Sequence, residues 1–451
     1  MTKPLYPFGW PARSQVRGKA GRPATTRGTS TSTTATRTGT TTTTVASSAP
    51  CASVSVNGAV TLQDLYAAWL EARRGKRPSH NQVAFEYYWI DNLMRLQERL
   101  NSHSWEPMPP TCFVAKLPKA REIHAPDFGD RVVHHWLVPL LENIYEPVFI
   151  HDSFSNRVGK GSHAAVDRLR DFVRQIDSGN GGGWYLQLDI HNFFNSIHRP
   201  TLYALLKDRI TRYGLGDVVR HAAHALLRSS PLHRGARYAC SSEERAQIPP
   251  HKRLENAEPG CGIAIGNLSS QFFANVYLNE LDQYAKHHLK AKRYIRYVDD
   301  FVLVHESREQ LERWQAEIEA FLQERLRLKL KPDIKLKPLS SGIDFLGYII
   351  RPEYSLVRSR VVNHLREKLI QWSSEHVAGT RVRATPREFR DISSIWSSYL
   401  GHFSHANSHR LIARLHREFP WLSFATQPRR FGLDAEGNML SAIWTKNGFF
   451  Q

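Results

Sequence analysis

The stretch RYIRYVDDFVLVHE, residues 293 to 306, sets two adjacent carboxylates, Asp299 and Asp300, between two apolar runs rich in aromatic and β-branched residues. Runs of that composition read as strands, so the acidic pair falls where the chain turns between them. Like charges beside buried strands cost free energy unless a counter-charge meets them. A divalent cation fits that need, because Mg2+ takes hard oxygen ligands and is held by one or two carboxylates together with phosphate oxygens. A third acid of the same kind lies upstream. In WYLQLDIHNFFNSI, residues 184 to 197, an apolar strand carries a single acid, Asp189, near its end. Laid beside the hairpin, that strand would gather three carboxylates at one place, enough for two metals.

The bulk composition points toward a polyanionic partner. Across 451 residues, 61 Lys and Arg outnumber 42 Asp and Glu, for a formal net charge of +19. Mixed with Trp, Tyr and Phe, this excess favours nucleic acid and predicts an affinity that falls steeply with added salt. A flat salt response in a filter-binding titration would exclude backbone-dominated binding. Cys51, Cys112, Cys240 and Cys261 are scattered without a C-x-x-C pair. That argues against a disulfide framework or a cysteine-based zinc site and for a reducing compartment. No apolar run reaches membrane-spanning length. The expectation is a cytoplasmic protein with no membrane partner.

Along the chain, residues 1–60 read as a disordered basic tail rich in Thr and Ser, with no acid before Asp64 and little to bury. An organellar transit peptide or a mis-assigned start are the alternatives. Two helical segments follow. The second, NQVAFEYYWIDNLMRLQERLNS, starts at Ser79 or Asn81 and spaces Val83, Phe85, Trp89, Ile90, Leu93, Leu96 and Leu100 for one face. TCFVAKLPKAREIHAP reads as a basic hairpin, and DRVVHHWLVPLLENIYEPVF as a helix with Asp127 or Asp130 near its start. GCGIAIGNLSSQFFANVYLNELDQYAKHHL enters a long helix through glycines. The opening hairpin, a helix over 307–328 and two strands in IKLKPLSSGIDFLGYII come next, and residues 357–417 form a helical, basic unit.

Strand with acid, glycine-entered helix, then acid–acid hairpin is the order of a polymerase palm, and here the sequence resembles the reverse transcriptases of prokaryotes. YVDD at 297–300 matches their Y-x-D-D motif, LDIHNFFNSI the first catalytic motif, and FLGY at 345–348 the primer-gripping strand pair. PKAREIHAPDFGDRVVHHWL and RVGKGSHAAV resemble the two fingers motifs, so the likeness runs from about residue 61 to 415. One departure is specific: IGNLSSQ places Ile265 where most of the family has Gln before the glycine. With DSFSNRVGKGSHAAV and RYVDDFVLV, that variant is most similar to the enzymes of diversity-generating retroelements, within the group II intron and retron superfamily.

The resemblance implies an α+β right-hand polymerase, with fingers and palm over 61–350, an RRM-like antiparallel palm sheet, a helical thumb over 351–425 and a short tail over 426–451. It implies RNA-directed DNA synthesis on two Mg2+ ions, with Mn2+ as a substitute. Template RNA, a cDNA or primer strand, dNTPs and a small basic accessory protein are the implied partners. Errors at adenines would diversify a target gene. The alternatives are a group II intron-like, retron or phage-defence reverse transcriptase, or a non-catalytic RNA-binding protein on the same scaffold.

By the same resemblance, Asp189 and Asp299 ligate the metals, with Asp300 supporting and Ile190 offering a backbone carbonyl. Phe194, five residues after Asp189, lies under the incoming sugar and selects deoxynucleotides, while Phe193 is core. Arg121 with Lys116 or Lys119 holds the triphosphate. Gly266 and Gln271 line the nucleotide side, with Gly266 leaving room for the template backbone. Ile265, Asn267, Ser270, Tyr297, Arg157, Lys160 and Gly347 face template or primer, and Lys335 is the general acid toward pyrophosphate. His402, His405 and His409 lie close on one helix, yet without a cysteine or acid they read as packing or RNA contacts rather than a zinc site.

Overall fold

The computed structural model describes residues 58–425, apart from 76, 117–118, 178–181, 230, 232–234 and 380. The expected tails over 1–60 and 426–451 therefore lie almost wholly outside the described residues. The fold is α+β. Its strands among the described residues, in chain order, are β1 (Thr111–Ala115), β2 (Arg121–Ala125), β3 (Trp184–Asp189), β4 (Arg237–Tyr238), β5 (Tyr294–Tyr297), β6 (Asp300–His305), β7 (Lys335–Pro338), β8 (Ile343–Phe345), β9 (Tyr348–Ile350), β10 (Ser355–Val357), β11 (Val377–Ala378) and β12 (Arg381–Val382). The chain divides into two units, residues 1–147 with 199–272 and residues 148–198 with 273–451.

In the first unit, Thr61 and Asp64 close a capping box that starts helix Leu62–Arg73. Helix Phe128–Tyr145 begins at Asp127, whose carboxylate accepts from the Gly129 amide. It is buried almost throughout, from Phe128 and Val132 to Leu141 and Ile144. The basic hairpin forms as expected, β1 pairing antiparallel with β2, and β4 adds in parallel on the other side of β1. The segment from Asn81 does not form one helix. It splits into His80–Tyr87 and Trp89–Asn101, with Tyr88 at φ −122° and ψ 45° between them. Consequently Leu93, Leu96 and Leu100 are buried, whereas Val83 and Ile90 are exposed.

Asp130 sits inside this unit at 4% exposure, accepting the Met108 amide at 2.7 Å. Desolvation pushes its carboxyl up to about 7, against that hydrogen bond. The native state therefore keeps a proton that the unfolded chain has already lost. Stability is full below the unfolded pKa and drops as pH rises through about 4 to 7. Asp130→Asn keeps the acceptor and removes the titration. The variant should be more stable than the parent at pH 8 by about 2 to 4 kcal/mol, with a shallower fall between pH 4 and 7. Urea denaturation across pH tests this, and equal slopes in both proteins would refute it.

The second unit is organised by a four-stranded sheet in the order β5-β6-β3-β7, every pairing antiparallel. On one face Tyr185, Ile295, Val302 and Val304 pack with Val166, Leu169, Phe172 and Val173 of helix Ser162–Asp177. Helix Arg308–Leu326 also lies against β3 and β6 and buries Leu311, Trp314, Ile318 and Leu322. A sheet covered this way needs apolar residues on both sides, so YLQL and FVLV read as nearly unbroken runs. The segment IKLKPLSSGIDFLGYII gives three strands rather than two: β7 joins the main sheet, while β9 pairs with β8 on one side and β10 on the other in a separate sheet. The helical segment after 357 has its own core of Leu365, Leu369, Phe389, Trp396, Phe403 and Leu415. No helix among the described residues is long and apolar enough to cross a membrane.

Candidate active site

All three acids come together in the second unit. Register places Asp189, the last residue of β3, directly opposite Asp300, the first of β6. Asp299 stands between Tyr297 and Asp300 in the two-residue loop joining β5 to β6. The first position of such a loop favours glycine, yet it holds Val298 at φ +57°. A β-branched residue there is strained. The strain is held from below: buried Arg296 donates to the Val298 carbonyl at 2.9 Å. The same guanidinium bonds Asp282 at 2.8 and 2.6 Å and the Ser153 hydroxyl at 3.1 Å, and Tyr294 donates its hydroxyl to Asp282 at 2.8 Å.

The electrostatics are those of like charges held close together in a partly dry setting. Desolvation pushes the Asp300 carboxyl up to about 7; Asp189 and Asp299 add to it, while Gln187 and Lys335 oppose it. Gln187 donates its side-chain amide to both Asp300 oxygens, at 3.1 and 3.4 Å, and to the Asp344 carbonyl at 3.1 Å. Asp189 pairs through Oδ2 with Lys331, whereas its Oδ1 is buried without a hydrogen-bond partner. Asp189 thus offers an orphaned carboxylate oxygen on the residue paired with Asp300, the hard-oxygen type of donor that divalent ions take.

The other expected residues of this unit fall as follows. Ile190 is fully buried, and its bridge to Leu330 is flanked by the His191 to Lys329 and Lys331 to Asp189 backbone bonds. That pattern leaves Ile190's own carbonyl outside this ladder. Phe193 is buried as expected, and Phe194 is half-buried with its ring edge-on to Phe193 at 5.4 Å. Lys335 pairs with Gln187 on β7, next to the acids. Tyr297 is half-buried against the sheet core. Gly347, at φ +92°, packs closely within this unit, since a Cβ there would come within 3.1 Å of the His402 ring. Arg157 donates to the carbonyls of Ile150 and Ser153 at 2.7 and 2.8 Å, and Lys160 to that of His151 at 2.9 Å.

Arg121, Lys116, Lys119, Ile265, Gly266, Asn267, Ser270 and Gln271 belong to the first unit. Lys116 pairs with Glu244 at 2.9 Å. Gly266 has a reason within the chain itself: at φ +123°, a Cβ would lie 2.9 Å from Ile123 and 3.0 Å from the His124 carbonyl. The neighbouring Ile265 carbonyl accepts the His124 amide at 2.8 Å. Close approach of β2 therefore accounts for the glycine, where the sequence suggested the template backbone. The Asn267 side-chain oxygen is buried without a partner, Ser270 is buried and Gln271 half-buried.

The three histidines do not share a helix. His402 ends helix Pro386–Phe403, His409 starts His409–Glu418, and His405 lies between and stacks on His163 at 3.8 Å. Sequence reasoning missed Gln187 and Lys331. Gln187 was within reach, because it lies two residues before Asp189 and so on the same face of the strand. Lys331 gave no such signal, since only the pairing of β3 with the segment after Leu328 brings it to Asp189.

Known proteins resemble this chain over much of its length. The family "Reverse transcriptase (RNA-dependent DNA polymerase)" matches residues 114–350, just over half of the chain. The chain is 24% identical over 313 residues to protein YkfC of Escherichia coli (strain K12), covering 61% of this chain and 76% of that one. It is 24% identical over 332 residues to the group II intron-encoded protein LtrA of Lactococcus lactis subsp. cremoris, covering 62% of this chain and 54% of LtrA. The chain thus spans about half the length of LtrA. Among solved structures, an apo telomerase from Candida tropicalis aligns with a TM-score of 0.43 and 10% identity over 55% of each chain. A matching family across more than half the sequence, with its acids assembled at one sheet end, leaves one conclusion: the chain belongs to the reverse transcriptase (RNA-dependent DNA polymerase) family.

Proposed function

We propose that this protein is an RNA-directed DNA polymerase that copies a template RNA into cDNA from dNTPs. The observation that carries the reading is the pairing of Asp189 with Asp300 beside Asp299, with one Asp189 oxygen buried and unpartnered. Asp189, Asp299 and Asp300 would hold two Mg2+ ions, with Mn2+ as a substitute and the Ile190 carbonyl as a further ligand. When bound, the ions supply charge neutralisation and an acidified 3′-hydroxyl for an in-line displacement.

The chain's own groups do the rest. Gln187 orients Asp300 through its amide, and Lys335 donates a proton to the leaving pyrophosphate. Arg121, Lys116 and Lys119 hold the triphosphate through charge-assisted hydrogen bonds. Phe194 closes the space below the sugar. Gly266, Asn267, Ser270 and Gln271 line the nucleotide side, and Tyr297, Arg157, Lys160 and Gly347 support template and primer. Residues 61–350 are fingers and palm, and 351–425 the thumb, a division supported by the separate helical core after Leu365.

Phe194→Ala should admit ribonucleotides, lowering the dNTP-over-rNTP preference by about tenfold or more, the scale of one lost steric contact. Competing incorporation assays read this out, and unchanged discrimination would remove Phe194 from the sugar site.

Within the family, we assign the chain to diversity-generating retroelements, supported by Ile265 in IGNLSSQ. A group II intron-like role is the second reading, supported by the likeness to LtrA. Sequencing of cDNA made by the purified protein on a defined RNA separates them. Errors concentrated at template adenines favour the first and uniform fidelity the second, while no cDNA at all would overturn the polymerase reading.

A further inference from the structure

A second cluster of ligating side chains lies in the first unit, away from the three acids in sequence and in sheet. Pairing of β1 with β2 sets Cys112 directly opposite His124, and Glu122, two residues earlier, shares their face. All three side chains are buried, at 0%, 5% and 3% exposure. One ligand atom from each lies within 4.8 Å of the others. His124 has neither ring nitrogen in a hydrogen bond, although Nε2 stands 3.4 Å from Glu122 Oε2. A buried imidazole with both nitrogens unused, facing a carboxylate and a thiol, is costly as it stands.

We propose that Cys112, Glu122 and His124 form a structural binding site for a zinc-class divalent ion. The spacing suits one ion. His124 Nε2 lies 3.4 Å from one Glu122 oxygen and Cys112 Sγ 3.8 Å from the other, separations close to the roughly 3.4 to 3.6 Å between ligands of one tetrahedral ion with bonds of about 2.1 to 2.3 Å, so a small turn of the carboxylate brings one oxygen to both. Thiolate and imidazole select a borderline or soft ion over Mg2+.

Glu122 can serve such an ion as a carboxylate. Burial alone would raise its pKa, but the nearby His124 ring and the hydrogen bonds from the Leu254 amide and Arg245 bring it down to about 2. Arg245 and Leu254 act as outer partners, with Arg245 Nε at 3.1 Å from Oε1 and the Leu254 amide at 2.9 Å from Oε2. Without an ion, burial and then Glu122 push the Cys112 thiol up to about 12. Binding therefore breaks the S–H bond, forms a metal–thiolate bond and releases one proton to solvent. Cys240, half-buried two residues beyond the Tyr238 that pairs with Cys112, stands outside the three-residue cluster, so the fourth position falls to water unless its side chain turns in. The site would staple β1 to β2, the strand that carries Arg121 and receives the Ile265–Gly266 turn.

The test uses the full-length chain, purified without an affinity tag or chelator, and reads no enzymatic activity. We expect about one equivalent of zinc per chain by mass spectrometry of the metals. Co2+ loading should give a thiolate-to-cobalt absorption band, with one proton released per ion. Cys112→Ser and His124→Gln should each lose the band and weaken zinc binding at least about tenfold. Should these variants fail to fold, X-ray absorption of the zinc-loaded wild-type chain decides, with one or two sulfurs plus imidazole expected. Zinc far below stoichiometry with no cobalt–thiolate band overturns the proposal, as does a band unchanged in both variants or a shell without sulfur. The cluster would then be an Arg245–Glu122 ion pair with a histidine packed beside it.

Discussion

Asp299→Ala should abolish Mg2+-dependent dNTP incorporation on an RNA template, lowering the rate at least about a thousandfold, the scale of losing a group that stabilises charge only in the transition state. Folding should survive. Asp299 sits in a two-residue loop beside Asp300 and across from Asp189, and Asp300 is already pushed up to about 7 by desolvation and these neighbours. Removing one like charge relieves repulsion in the ion-free state, so thermal stability without Mg2+ should stay level or rise. The loss must therefore appear in turnover and in Mg2+ dependence, not in the melting curve. Wild-type incorporation by a well-folded Asp299→Ala protein would detach the acid cluster from catalysis.

Arg296→Ala should be the most destabilising single change near the site, by about 3 to 5 kcal/mol. Arg296 and Asp282 are both fully buried and joined at 2.6 Å. Truncating the arginine strands the Asp282 carboxylate in the interior and frees the Val298 carbonyl that Arg296 holds at 2.9 Å. Replacing both charges together, as Arg296→Met with Asp282→Leu, should recover much of the stability, because a matched apolar pair removes the desolvation cost. Activity should not recover with it, since nothing would then hold the strained loop that carries Asp299. Chemical denaturation and incorporation assays on the same three proteins test both halves. A single variant within about 1 kcal/mol of wild type would refute the buried-charge account.

The catalytic strands were legible because a sheet packed on both faces demands nearly continuous apolar sequence, against which isolated acids stand out. Helix starts were readable to within a few residues: of Ser79 or Asn81 the structure takes Ser79 as the cap position, and of Asp127 or Asp130 it takes Asp127, whose side chain caps the helix. Helix faces were less so. The break at Tyr88 rotates Val83 and Ile90 out to solvent, and periodicity counted across the break could not see it. Gly266 drew a ligand-based explanation when its neighbours proved to be Ile123 and His124. The scattered cysteines argued against a cysteine-based zinc site, yet hairpin register brings a single one, Cys112, to Glu122 and His124.

From the residues alone came the kind of chemistry: which acids, on which strands, in a basic chain suited to nucleic acid. Three-dimensional pairing settled which groups meet, setting Asp189 against Asp300, Lys331 on Asp189, Gln187 on Asp300 and Arg296 beneath Val298. The reason is physical. Strand propensity and capping depend on neighbours along the chain, whereas register and burial depend on segments more than a hundred residues away, whose contribution no local pattern encodes.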